Sequence, residues 1–527
     1  MVRPLMVAAL ALALASGTAR AATQEFRIVV VPGLTIADLR ALAPRGAVGL
    51  LVPSNGPTTS SAQAGAALVR GKLRNSFLDG GVPRGARLVS VETASAPPAS
   101  GPFIVLALPA DGTQANERRY PVAVVGSGFH GLLTSTSTRL PGVVSIVDIA
   151  PTALRQEDSL RSSSSDDAAA RVAELDRLIG AKGNARLYST LVCCILVILL
   201  AVVFPRASIL GCATGLTANV ILGAVETASL WIVLTVLVGS IVLAAPIAHF
   251  VRSWVAIGAT LAVVLVLYLA AMAIDAAWAA YSPWGPEQTG RFYGVTNLLE
   301  TILLVPALAG AALLGRRYGP VAFAAVALLA FVTVAGSRFG ADGGGAVVLA
   351  AGYAVLGCLL ARIRGRALAA ALVGAVAVAV GLVALDAATG GSSHVTKALG
   401  GGPGSLAAHL SDRLRISWDR VTVSPGPALT VALSLALLAA VVVRDLRSGA
   451  PLPERALPLA FAFAVAVSLV VNDAPNDVAA AGVMGYLVCS GVMLRGRCAA
   501  ASCSRSPLAF SWPAAEERPL SRLRPRP

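Results

Sequence analysis

The sequence predicts an α-helical polytopic membrane protein with about eleven transmembrane helices, preceded by a small extracytoplasmic α/β domain. Of its 527 residues, 56% are hydrophobic and only 13% are charged, and the mean hydropathy is +0.75. A soluble globular chain is roughly half apolar and a quarter charged, so water cannot be the main solvent of this chain. Apolar runs of about 20 residues, long enough to cross a bilayer core, recur between residues 187 and 495.

Residues 1–21 have the form of a secretory signal peptide. Arg3 precedes an apolar run from Leu5 to Ala15, and Ala19-Arg20-Ala21 has the small-x-small pattern that signal peptidase accepts. We therefore expect the chain to continue on the outer side of the membrane. An uncleaved signal would become one more anchor and leave the downstream topology unchanged.

Residues 22–155 have the composition of a soluble α/β domain. Helical patterns fit residues 35–43 and 62–77, and Gly/Pro turns separate the β-branched runs, which are 26–31, 48–52, 103–108 and 122–125. This alternation favours a mostly parallel sheet with helices on its faces.

A Ser-rich linker and a surface helix are predicted over residues 156–186. No packed structure is expected from Gln156 to Ser165, and Asp166 or Asp167 is placed to cap a helix that runs to about Ile179. The stripe of Val172, Leu175, Leu178 and Ile179 fits either a helix on the membrane surface or a solvated spacer.

The transmembrane domain is predicted over residues 187–495, with a basic cytoplasmic tail over 496–527. The apolar runs predict spans at about 188–204, 208–225, 228–248, 254–274, 296–315, 319–335, 344–361, 367–385, 427–443, 456–471 and 478–494. Only Glu226 and Thr227 separate the second span from the third, so either of the two could be re-entrant.

Arginine marks alternate loops as cytoplasmic. If the first span starts outside, the inner loops hold Arg206, Arg252, Arg316, Arg317, Arg362, Arg364, Arg366, Arg444, Arg447 and Arg455. The short outer loops hold only Arg291 and Arg338. The pattern predicts a multi-pass plasma membrane protein with its N-terminal domain extracytoplasmic and its C-terminus cytoplasmic. It also accounts for the net charge of +15, so nucleic acid is not an expected partner.

The seven cysteines lie in spans or in the tail, and no disulfide framework, metal site or cofactor is predicted.

One part of the N-terminal domain resembles the alkaline-phosphatase superfamily. The segment begins with Tyr120-Pro121-Val122-Ala123-Val124-Val125-Gly126 and closes with Asp148-Ile149-Ala150-Pro151-Thr152, a D-[IL]-x-P-T helix start. The strand Ile28 to Val31 resembles the superfamily's opening strand. The resemblance implies two closely spaced divalent ions and a Ser or Thr nucleophile.

The motif positions depart from that chemistry. Pro32 stands where the superfamily has an Asp metal ligand, and His130 is the domain's single histidine. Thr58, with Thr59 and Ser60, is either a remnant of the nucleophile or part of a helix N-cap. Asp148 fits a turn or, alternatively, a ligand. Pro32, Thr58, His130 and Asp148 are therefore vestigial phosphatase-like positions, and a pseudoenzyme domain without catalytic or metal-binding residues is expected.

A second resemblance covers most of the chain. Arg291-Phe292-Tyr293-Gly294-Val295-Thr296-Asn297, Gly340-Ala341-Asp342-Gly343 and Asn472-Asp473 resemble motifs of an uncharacterised family of bacterial polytopic membrane proteins. In that family a phosphatase-like outer domain precedes the spans. This chain has Leu298 where the family has Glu, with Glu300 two positions later, and Ala474-Pro475 replaces Ser-Gly.

These motifs lie at the outer ends of spans and predict an outer-face membrane site. Charged groups near hydrocarbon depth need a partner or a wet cavity. The predicted site residues are Asp275, Arg291, Tyr293, Asn297, Arg338, Asp342 and Asp473. Arg291 fits two roles equally well: an ion pair with Asp342 or Asp275, or binding of a lipid phosphate. The aromatic side chains of these motifs also fit a belt of aromatic residues at the membrane–water interface. In the long outer connection between the eighth and ninth spans, residues 406–421 fit an interfacial amphipathic helix or a substrate-handling loop.

Together these features predict a non-catalytic integral membrane protein of the cell envelope. Its outward-facing site is expected to bind or move an envelope lipid or a lipid-linked glycan, so the expected partners are membrane lipids. The alternatives are a metal-dependent phosphatase-like or sulfatase-like hydrolase, an envelope transferase acting outside the membrane, and a scaffold.

Overall fold

The computed structural model describes residues 25–156, 160–227, 229–286, 292–363, 365–388 and 402–500. The predicted signal peptide, Arg291 and tail residues 501–527 lie outside the described residues. Within them, a small α/β domain is followed by a large helical domain.

The N-terminal domain is built on one mixed sheet. The strands are β1 Arg27–Val30, β2 Gly46–Val52, β3 Thr58–Thr59, β4 Glu92–Thr93, β5 Phe103–Leu106, β6 Gln114–Ala115, β7 Tyr120–Val125, β8 Gly131–Thr134, β9 Val143–Ser145 and β10 Arg161–Ser163. The main sheet has the order β10-β8-β2-β7-β5-β1-β4, with β9 beside β2, while β3 pairs with β6. Strand β7 is antiparallel to β2 and β5, so the sheet is mixed where the sequence favoured a mostly parallel one. Residues 107–119 join β5 to β7 without a helix, a connection that antiparallel neighbours allow.

Helices cover both faces of this sheet. Because strand side chains alternate, Ile28 and Val30 face one apolar layer while Val29 and Val31 face the other. Helices α2 (Ser61–Arg70) and α3 (Ile149–Ala153) pack on the first layer. Helix α1 (Leu39–Leu42) and the start of α4 (Ala168–Val203) pack on the second layer.

Helix α4 joins the two domains without a break over 36 residues, about 54 Å. Asp167 caps it as predicted, since its Oδ1 accepts a hydrogen bond from the Ala170 N–H at 2.9 Å. The helix does not end near Ile179 but continues to Val203.

Residues 160–186 are therefore packed structure and not a loose linker. Strand β10 pairs with β8, and Val172 and Leu175 are fully buried against the sheet. The predicted stripe is neither a surface helix nor a solvated spacer, because Val172 and Leu175 belong to the apolar layer of the sheet and Leu178 is also buried.

The remaining helices form the second domain. They are α5 Pro205–Ala224, α6 Leu230–Phe250, α7 Trp254–Ile274, α8 Ala276–Tyr281, α9 Asn297–Tyr318, α10 Pro320–Ala335, α11 Gly343–Leu360, α12 Arg366–Ala388, α13 Gly402–Thr422, α14 Pro425–Arg447, α15 Leu452–Val471 and α16 Pro475–Ala500. Each predicted span coincides with a helix, and α5 and α6 are both full-length. Among the described residues, nine helices are long and apolar enough to cross a membrane, whereas apolar α10 is shorter. A count of eleven spans stays a prediction.

The α/β domain packs directly on one end of the helical domain. Ala277 and Ala280 of α8, and Phe292 after it, belong to the same apolar cluster as the sheet. From α4, the Lys182 ammonium donates to the Ala280 carbonyl and to the Pro286 carbonyl, the latter at 2.6 Å. The Arg186 guanidinium donates to the Gly285 carbonyl at 3.0 Å and to Asp477 Oδ2 at 2.6 Å. Polar and apolar contacts therefore hold the two domains together.

The Lys182 contacts predict a measurable loss of stability in Lys182→Met. Methionine fills similar space but leaves two buried carbonyl oxygens without this donor, which costs about 1 to 3 kcal/mol. Thermal unfolding of the purified chain in detergent is expected at a lower temperature than in the wild type. The exposed Lys72→Met is the matched control, and an equal effect of the two substitutions would contradict the assigned role of Lys182.

Candidate functional site

Two glycine-bearing loops meet at the end of the helices that faces the α/β domain. Residues 292–296 precede α9 and residues 336–342 precede α11, and the Val295 N–H donates to the Gly340 carbonyl at 2.9 Å. Gly294 has φ +83°, and a Cβ there would collide with the Gly340 oxygen. A residue other than glycine would force these loops apart. Two of the motifs found in the sequence are therefore one structural unit.

Arg139 of the α/β domain is bound to both loops. Its guanidinium lies over the Tyr293 ring, with Cζ 3.9 Å from the ring centre, and it donates to the Ser337 carbonyl at 2.7 Å. Tyr293 is buried beneath it. A stacked and hydrogen-bonded arginine fixes the loops against the α/β domain.

The loop after α15 contributes a third set of polar groups. Asn297 Nδ2, at the start of α9, donates to Asp473 Oδ1 at 3.0 Å. One turn further, Glu300 Oε2 accepts from Asn472 Nδ2 at 2.7 Å. The same amide nitrogen lies 2.8 Å from Ser468 Oγ. Glu300 and Asn472 are each only 1% exposed, so this contact lies in the interior.

Asp342, at the start of α11, lies beside Glu300 and Asn472. Its Oδ1 caps that helix by accepting from the Gly345 N–H at 3.2 Å. A Cβ on Gly344 would collide with Asn472 Oδ1 and would lie 3.4 Å from Asp342 Oδ1. Glu300, Asp342 and Asn472 are therefore neighbours, and we call them the Glu300 cluster.

Burying two carboxylates together is costly. Each lies at a helix N-terminus, where the helix dipole contributes about 0.3 to 1 kcal/mol to an anion. The effective penalty for removing one ion from water is several kcal/mol, so the dipoles do not offset it. Arg413 of α13 is the cation that faces Glu300 and Asp473, and its Nη1 donates to the Val471 carbonyl at 2.8 Å.

Asp473 lies between helices, at the rim of this cluster. Burial raises the pKa of its carboxyl group, but the Arg420 and Arg413 guanidiniums and the Asn297 amide outweigh burial. The net pKa is below the ordinary value, so Asp473 is an anion at neutral pH.

Helix α13 covers this end of the bundle and has two distinct faces. Ile416 and Ser417 are buried, and Ser417 Oγ donates to the Asn472 carbonyl at 2.9 Å. Leu410, Leu414 and Trp418, spaced one turn apart, are exposed. The amphipathic helix predicted over 406–421 is confirmed. Ile416 lies on its packed face, because it is six residues from Leu410, about 240° around the helix.

The structure brings together part of the predicted outer-face site. Tyr293, Asn297, Asp342 and Asp473 belong to the joined loops and their rim. Asp275 is not part of this group: it is exposed and caps α8, with Oδ1 2.8 Å from the Ala277 nitrogen. Arg338 is exposed on the loop before α11, and Arg291 lies outside the described residues.

Sequence reasoning left Glu300, Asn472 and Arg413 out of the predicted site. Glu300 could have been found, because it is the only charged residue in the predicted span 296–315. Asn472 and Arg413 join it through contacts between α9, α13 and the loop after α15, segments far apart in sequence.

In the α/β domain, Pro32 and His130 lie far apart. Pro32 follows β1 and His130 precedes β8, and these two strands are four strand spacings apart in the sheet, or roughly 19 Å. The two strands run in the same direction. Pro32 therefore lies beyond the carboxyl ends of these strands, whereas His130 lies beyond their amino ends. Both residues are exposed. They cannot share one metal ion.

Thr58 and Asp148 lie in local structure. Thr58 pairs with Ala115 in the small sheet, while Ser60 caps α2 through the Gln63 N–H at 3.2 Å. Asp148 is buried and accepts from Ser137 Oγ at 2.5 Å and from the Ser145 N–H at 2.9 Å, which fits the turn alternative. Throughout the described part of the chain, no group of three or more His, Cys, Asp or Glu residues is placed to hold a metal ion.

The close packing around the cluster predicts that Gly344→Ala is disruptive. The new methyl group would displace the Asn472 side chain, and overpacking of this kind typically costs about 1 to 3 kcal/mol. We expect a lower unfolding temperature in detergent. The control is Gly374→Ala in α12, where a Cβ meets nothing within 4 Å. Equal stability of the two variants would contradict the described contact.

Comparison with known proteins identifies no relative of this chain. No protein-family model, curated protein or solved structure matches the chain. The two resemblances based on sequence motifs stay predictions, and the function is argued from the described contacts.

Proposed function

We propose that this chain is a multi-pass plasma membrane protein of the cell envelope that binds the anionic headgroup of an envelope lipid or lipid-linked glycan at its outer face. In this proposal the α/β domain is extracytoplasmic, the C-terminus is cytoplasmic and the protein is not catalytic. The observation that carries the proposal is helix α13, which packs by one face and exposes an apolar stripe on the other.

The exposed stripe of α13 fits the boundary between headgroups and acyl chains. Trp418 is 69% exposed, and Leu410 and Leu414 are both more than 40% exposed. An amphipathic helix with Trp and Leu on one face and arginine beside them is typical of a helix that lies in the membrane interface. Arg413 and Ser417, bonded to the loop after α15, hold the opposite face in place.

Arginine beside the stripe supplies the means to recognise a phosphate. The Arg415 side chain is 56% exposed, and its nitrogens lie 3.7 Å from Asp79 and 3.9 Å from Asp419. Arg415 therefore forms ion pairs with both carboxylates but no hydrogen bond to either, so its N–H groups can still donate to a phosphate. A guanidinium in this position can donate two parallel hydrogen bonds to a lipid phosphate.

Binding is favoured over hydrolysis because the α/β domain offers no assembled metal site among its described residues. The separation of Pro32 from His130 and the structural contacts of Asp148 support a domain that packs and positions.

A lipid-dependent stability measurement tests the proposal. In the purified chain, phosphatidylglycerol is expected to raise the unfolding temperature more than phosphatidylcholine does. Arg415→Gln should weaken the phosphatidylglycerol response about fivefold in apparent affinity, since one surface arginine contributes about 1 kcal/mol. Trp418→Ser should weaken the response to both lipids.

The matched control is Arg317→Gln, an exposed arginine at the other end of α9. Equal stabilisation by the two lipids, or an unchanged response in Arg415→Gln, would reject the proposal. Mass spectrometry of lipids that co-purify with the chain then separates a simple phospholipid from a lipid-linked glycan.

A further inference from the structure

The Glu300 cluster contains two buried oxygens that lack a hydrogen-bond donor. Glu300 Oε1 and Asn472 Oδ1 have no partner among the described residues, although both side chains are 99% buried. The other Glu300 oxygen accepts from Asn472 Nδ2, so the carboxylate is held in a fixed orientation. Asn472 Oδ1 points toward Gly344, next to Asp342 Oδ1. Buried acceptors of this kind are normally satisfied by a donor or a bound ion.

The charges that face Glu300 come from two other helices. Asp342 approaches from the start of α11, and Arg413 approaches from α13. Asp473, bound to Asn297 one turn before Glu300, is the next carboxylate and has Arg413 and Arg420 as its own partners. Arg413 therefore faces both Glu300 and Asp473, and its guanidinium also donates a hydrogen bond to the Val471 carbonyl.

We propose that the Glu300 cluster binds a small monovalent cation, a proton or a sodium ion, between Glu300, Asn472 and Asp342. This inference stands on the cluster alone and goes beyond lipid binding. A proton on Glu300 would turn a buried acceptor into a donor beside the Asp342 carboxylate. A sodium ion would instead be held by carboxylate and amide oxygens. Either occupant neutralises one charge where two carboxylates share an enclosed space.

The ligand set favours a single positive charge over a divalent ion. Glu300 and Asp342 bring two negative charges together, and the Arg413 guanidinium already balances one of them, so a single further positive charge makes the cluster neutral. An acidic residue at a helix end inside a membrane domain is typical of proton or sodium sites in transporters.

The test uses the full chain in detergent and measures both cations. For sodium, thermal unfolding is followed while NaCl replaces choline chloride at constant ionic strength. A saturable rise in the unfolding temperature is expected, with apparent affinity about tenfold or more weaker in Glu300→Gln. For a proton, infrared difference spectra are expected to show a protonated carboxyl band that disappears at alkaline pH and is absent from Glu300→Gln.

Asp275→Asn is the control, because Asp275 is an exposed helix cap outside the cluster and asparagine also caps. Asp342→Asn tests the same site from α11 if Glu300→Gln does not fold. A wild-type chain that shows neither signal would mean that water alone fills the site, and the proposal would be wrong. A signal that persists in both cluster variants would also overturn it.

Discussion

Lys182 and Arg186 extend from α4 into the junction between the two domains, where neither group is in water. Their positive charges are bound to the backbone carbonyls of residues 280–286 and to Asp477. Breaking these contacts would leave buried cations unpaired, at a cost of several kcal/mol. Because α4 is one continuous helix, the same contacts fix the sheet above it and the bundle below it.

The local structure of both domains could be predicted from the sequence, because it depends on periodicity and run length. The four predicted strand runs and the eleven apolar runs correspond to strands and helices in the structure, whereas the helices predicted over 35–43 and 62–77 are shorter, at Leu39–Leu42 and Ser61–Arg70. The continuation of α4 and the pairing of β10 with β8 could not be predicted in this way. Both depend on contacts with the sheet, which Val172, Leu175 and Arg161–Ser163 make. Contacts between distant segments leave no periodic signal in the sequence.

In the candidate site, too, local structure could be predicted from the sequence, whereas contacts between distant segments could not. Glycine motifs placed Tyr293 and Asp342 at the ends of helices, but their proximity follows from one backbone bond, Val295 to Gly340. Asn472 joins two parts of the site: its amide belongs to the Glu300 cluster, while its carbonyl holds Ser417 of α13. The helix that we assign to lipid binding and the buried carboxylates therefore share one loop, so a displacement of that loop would move both.

The short length of α10 has a consequence for the surrounding bilayer. Its 16 residues span about 24 Å, whereas a hydrocarbon core is about 30 Å thick. If α10 crosses the bilayer, as the sequence predicts, lipids beside it must compress, or the polar turn from Gly336 to Asp342 must lie below the level of the neighbouring headgroups. Either arrangement places a local dimple in the membrane next to the Glu300 cluster. The protein would then be best accommodated in thin membranes.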